Sequence, residues 1–113
     1  MILKLEDIPL SHLPEFKGGT KELAANMFFD GTNRILKGRL VPGASIGLHT
    51  HEDSCEVIFV VSGQGQLLEP EHGHKEVRAG DCLYCPKGYS HSLINPKDSY
   101  EDLVFLAVVA AQA

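Results

Sequence analysis

Cysteine is scarce in this chain: three in 113 residues, an odd count. A small secreted domain stapled by disulfides needs more of them, in pairs, so reduced thiols are the expectation. Long apolar runs are missing as well, since none approaches the roughly 18 residues that cross a bilayer as a helix. Basic stripes are also lacking. The 10 lysines and arginines are scattered and outnumbered by 15 acids, for a net charge of -5. Without the electrostatic footprint of a nucleic-acid binder, neither nucleic acid nor membrane is an expected partner. The opening Met1-Ile-Leu-Lys-Leu-Glu-Asp7 turns acidic too early for a secretory signal, so a cytoplasmic setting is expected. There is no low-complexity tract and no solenoid-length repeat, and the length suits one domain over residues 1–113.

What the chain does contain is punctuation. Glycine and proline recur at short intervals, at Gly18-Gly19, Gly31, Pro42-Gly43, Gly63, Gly65, Pro70, Gly73, Gly80, Pro86, Gly88 and Pro96. Short strands fit between them and long helices do not. The segments are 34–41, 45–50, 55–62, 64–69, 74–78, 81–85, 90–94 and 102–109, a pattern of antiparallel sandwich or barrel. Lys21 to Phe28 is open between a helical turn and a strand, and the alanine-rich tail is open between a helix and a closing strand. Val57-Ile-Phe-Val-Val61 is apolar at every position rather than at alternate ones, which predicts cover on both faces, by the N-terminal segment or by a second subunit.

Cys82 and Cys85 have C-x-x-C spacing, but on a strand residues three apart point to opposite faces and the sulfurs diverge. Both are expected to be small buried hydrophobes rather than a redox or zinc pair.

His49 and His51, two apart on a predicted strand, project from one face within reach of a single cation. Glu56 opens the next strand, beside the apolar run, where a carboxylate is costly to desolvate unless a cation meets it. Alternation places Ile58, Val60 and Ser62 on the side of Glu56, and Ser45 and Gly47 on the side of His49. His91 follows Pro86-Lys-Gly-Tyr-Ser90, a turn able to aim it inward. Each residue alone has an ordinary reading as a hydrogen-bonded strand residue, a solvated strand end or a loop histidine. A second His-x-His, His72-Gly-His74, lies among Pro70, Glu69, Glu71 and Lys75 and reads as an exposed hairpin tip. His12 is read as solvated too. Tyr84, Gln64, Gln66, Arg34, Lys37 and Arg39 are possible cavity residues to which no role is given.

The spacings resemble a family. Gly43, five residues, His49-Thr-His51, four residues, Glu56, six residues and Gly63 is similar to the first cupin motif. Gly80, five residues, Pro86-Lys-Gly88, two residues, His91, three residues and Asn95 is similar to the second. The resemblance spans 43–95 and implies an all-β, antiparallel jelly-roll barrel with His49, His51, Glu56 and His91 as metal ligands, often in a homodimer. The glycines, Pro86 and Asn95 then shape turns.

Imidazole donors suit one divalent transition ion, Fe, Mn, Ni, Cu or Zn, over Mg or Ca. Four protein ligands leave two positions open on an octahedral ion, and its positive charge favours small anionic or sugar-like substrates. A metalloenzyme of dioxygenase, isomerase, lyase or decarboxylase type is the expectation; the alternative is a binding module that holds a sugar or small effector without turnover.

Overall fold

A computed structural model describes all of residues 1–113. Ten strands follow in order: β1 Leu10–Pro14, β2 Glu22–Phe29, β3 Arg34–Leu40, β4 Ser45–Thr50, β5 Ser54–Ser62, β6 Gln64–Glu69, β7 Gly73–Arg78, β8 Cys82–Cys85, β9 Ser90–Ile94 and β10 Leu103–Ala111. The only helical elements are single 3₁₀ turns at Leu5–Asp7 and Phe16–Gly18. Two antiparallel sheets result, β1-β2-β3-β10-β5-β8 and β4-β9-β6-β7, consistent with the sandwich or barrel that the turn spacing predicts and with the jelly roll that the resemblance implies.

The core lies between the sheets and is built by period-two alternation. Leu23 and Ala25 on β2, Leu36 and Leu40 on β3, Ile58 and Val60 on β5, and Phe105 and Ala107 on β10 all face inward and are buried. Phe105 sits opposite Gly38 in the ladder. A Cβ at Gly38 would lie 2.4 Å from the Phe105 ring, so the glycine leaves the room that the ring occupies in the core.

The open choices and two expectations are decided here. Lys21 to Phe28 is not a helical turn: Glu22–Phe29 is a strand paired with both β1 and β3. Its period-two burial at Leu23 and Ala25 outweighs the helix propensity of Glu22, Leu23 and the alanines. The alanine-rich tail is strand β10, paired with β5 as far as Ala111.

The N-terminal segment does not cover the second face of the apolar run. It adds β1 and β2 to the edge of the large sheet, and Phe59 and Val61 stay about half exposed. Cys85 is buried and Cys82 is exposed, correcting the expectation that both are buried. Ser62 is exposed rather than inward, because the β5–β10 ladder slips between Val104 and Phe105.

Candidate metal centre

The two histidines of β4 do not follow its earlier residues in parity. Between Ile46, paired with Leu93, and His49, paired with His91, β4 holds one residue more than β9. Such a bulge resets which face a side chain takes. Ile46 therefore packs in the core although it is an odd number of residues from His49, and Ser45 does not share the histidine side as expected. Instead Ser45 Oγ accepts the Thr20 backbone N–H at 3.0 Å.

His49 and His91 are direct cross-strand neighbours, and their rings lie 4.8 Å apart, centre to centre. His51 lies just past the end of β4, with its ring 5.0 Å from that of His91. Glu56 comes from the opposite sheet, on the buried side of β5. One carboxylate and three imidazoles thus meet at one end of the barrel, and one ligand atom from each lies within 4.8 Å of every other.

The short distances define a focus. Glu56 Oε1 lies 2.8 Å from His91 Nε2 and 3.0 Å from His51 Nε2, and those two nitrogens are 3.1 Å apart. His49 Nε2 stands 4.0 Å from the same oxygen. Donors about 2.1 Å from one octahedral ion are spaced by about 3 Å when adjacent and about 4 Å when opposite. The donor chemistry suits such an ion, and Glu56, His51 and His91 have the spacing of adjacent donors, while His49 stands further out, within the 4.8 Å that bounds the group.

Hydrogen bonds behind the ring supply a second test. His49 Nδ1 lies 2.7 Å from the Gly47 carbonyl, which only accepts, so Nδ1 carries the proton and Nε2 turns a bare lone pair toward the focus. His51 Nδ1 is 3.0 Å from Ser54 Oγ. Burial is the main cause that brings the His49 imidazole below the usual histidine range, which favours the neutral form a metal requires. For Glu56, burial pushes the carboxyl up, but the hydrogen bonds and charges of His51 and His91 outweigh it and hold it down at about 2. Cys85, opposite Glu56 in the ladder, has its thiol pushed up to about 11, first by burial and then by that carboxylate. It is an unreactive thiol beside the site.

The cluster forms part of the wall of a cavity of about 550 Å³. Leu23, Leu36, Ile46, Ile58, Leu93 and Phe105 make its interior apolar. Three further wall residues, Leu13 on β1 and Phe16 and Lys17 on the strap joining β1 to β2, are a contribution with no signal in the sequence. Glu15, Lys17 and Lys21 all adopt left-handed backbone there without being glycine.

Of the possible cavity residues, only Arg34 lines it. Tyr84 is exposed, Gln64 and Gln66 line a separate polar cleft, Lys37 pairs with Glu6, and Arg39 pairs with Asp102. His72 and His74 are exposed at the β6–β7 hairpin, as expected. His12 is exposed as well, although on strand β1, where it contacts Glu22.

The structure is thus a small double-sheeted antiparallel barrel with a His₃Glu cluster that could hold one metal ion. The Cupin domain family model matches residues 37–109, and the chain belongs to the cupin family. An oxalate-binding protein of Thermotoga maritima is 28% identical over 115 residues, covering 96% of this chain and 93% of that one. The crystal structure of a predicted oxalate decarboxylase, also from Thermotoga maritima, superposes with a TM-score of 0.87 at 27% identity, covering 98% of this chain and 99% of that one. A polyketide cyclase from Streptomyces resistomycificus superposes at 0.74 with 22% identity, over 97% of this chain and 78% of that one, a likeness of fold alone.

Proposed function

We propose that His49, His51, Glu56 and His91 hold one divalent transition ion, and that the protein uses it to bind a small carboxylate. The observation that carries this is a Glu56 carboxylate that is 8% exposed and faces three imidazoles with no lysine or arginine beside it. A buried carboxylate in an apolar wall is costly unless a cation meets it. Held there, the ion would supply positive charge and open positions for carboxylate oxygens. The chain's own part is to fix the donor atoms, through Gly47 and Ser54 behind His49 and His51, and to keep water out with the apolar wall. The oxalate-binding name of the Thermotoga relative supports the ligand class.

Apart from Glu56, the carboxylates lining the cavity are Glu52 and Asp53, both exposed. Neither is buried beside the cluster as a tuned proton donor would be, which favours binding over turnover. Titration of oxalate into metal-loaded protein, before and after chelator treatment, tests the reading. Binding should appear only with metal, and equal binding in both samples would exclude it.

We also propose that the working unit is the whole chain in a homodimer, joined through the outer face of the large sheet. There Phe59 lies beside Leu106 and Val57 between Val108 and Tyr84, all on the side away from the core. Phe59→Asp should convert a mass of two chains to one in analytical ultracentrifugation, whereas a wild-type mass of one chain would reject the dimer.

A further inference from the structure

Arg34 stands in the same row as Glu56. In the large sheet Arg34 is opposite Val109, and Val109 is opposite Glu56, so the three stand on the same side of the sheet, Glu56 buried and Arg34 exposed. Two strand spacings separate the ends of that row, about 10 Å between Cα atoms. Arg34 lines the cavity and makes no ion pair; its guanidinium lies 4.1 Å over the Phe29 ring, and a nitrogen of it lies 3.7 Å from Met27 Sδ. The wall around this row is apolar, formed by Val109, Leu36, Met27 and Phe105. A cavity of about 550 Å³ is of the size that encloses drug-sized ligands, far larger than oxalate.

Resting on the carboxylate reading given above, we propose that Arg34 is a specificity-determining residue that receives a second carboxylate at the far end of the ligand. The ligand class is a dicarboxylate whose chelating end meets the His₃Glu cluster and whose apolar spacer crosses the Val109–Leu36 wall. A guanidinium suits this role because it offers paired N–H donors to both oxygens of one carboxylate. Stacking on Phe29 holds the fork in place without consuming those donors. Glu52 and Asp53, the exposed acids of the cavity lining, lie on the turn after His51, and neither pairs with Arg34. Lys17, on the strap, is the only other lysine or arginine of the lining.

The test is calorimetric titration of the metal-loaded protein with α-ketoadipate and with α-ketocaproate, which share a chelating end and differ in the far carboxylate. Wild type should prefer α-ketoadipate by about tenfold or more, as one charge-assisted pair provides. Arg34→Ala should abolish that preference with metal content unchanged, Arg34→Lys should keep part of it, and Lys17→Ala should keep most of it. Equal affinity of wild type for the two acids, or a preference that survives Arg34→Ala, would overturn the assignment of Arg34 and leave metal-dependent carboxylate binding standing. Binding of neither acid, with metal present, would overturn both.

Discussion

Replacing His91 with alanine is expected to lower metal affinity by about a hundredfold or more, while the same change at His72 leaves it untouched. Disturbing a residue that merely orients a ligand costs 10- to 100-fold, so removal of a donor sets that range as a floor. His91 is 5% exposed, supplies an Nε2 atom 2.8 Å from Glu56, and is the cross-strand neighbour of His49. His72 is exposed at the β6–β7 hairpin and contributes to no cluster. Because His91→Ala also removes a partner of a buried carboxylate, Glu56→Gln serves as a companion that keeps the shape and removes the charge. Elemental analysis, with far-UV circular dichroism as the check on folding, should show both variants depleted of metal and His72→Ala loaded. Equal depletion at His72 and His91 would mean that the wrong histidines were assigned.

Gly47→Ala should be among the most damaging single-methyl additions to this chain. A Cβ at Gly47 would lie 2.0 Å from the carbonyl oxygen of Lys17 and 2.7 Å from the carbonyl carbon of Gly18. A Cβ at Gly19 would meet Ser45 O at 2.0 Å, so strap and β4 lie backbone to backbone along a seam with no room for side chains. The obstacle is main chain, which cannot rotate away as a side-chain tip can, so a cost at the upper end of the overpacking range, about 3 kcal/mol, is expected. In a domain of this size that corresponds to a Tm lower by on the order of 10 °C or more. The Gly47 carbonyl also holds His49 Nδ1, so a displaced strand should lose metal affinity as well. By contrast, a Cβ at Gly73 meets nothing, although its φ of 73° strains any other residue. Thermal denaturation should therefore rank Gly47→Ala well below Gly73→Ala, and matching curves would show that the strap is not seated on β4.

The four converging side chains were legible because two independent patterns coincide in them: strand parity at His49 and His51, and the spacing of both motifs out to His91. Most strand bounds were legible as well, since glycine and proline mark nearly every turn. Parity failed where the ladder slips. At Ile46 to His49 and at Val104 to Phe105 an additional residue reverses the inward and outward order, and no residue type announces it, so Ser45 and Ser62 were assigned to the wrong side. Cys82 shows a reading that contradicts itself. The alternation that parts the two sulfurs sends only Cys85 inward. The strap was illegible for another reason. Of its left-handed positions only Gly18 carries a glycine signature; Glu15, Lys17 and Lys21 carry none and are held by packing on β4 rather than by local preference.

The additional residue between Ile46 and His49 lets a core side chain and a cluster side chain that are three apart both face inward. Excising either Gly47 or Leu48 would set His49 two residues from Ile46, opposite His91 as before, so plain alternation would keep both facing inward and the bulge itself would vanish. The first histidine can therefore stand two or three residues beyond the last core residue of β4 and still point inward, and a count along the chain misjudges only which of the intervening residues share its side.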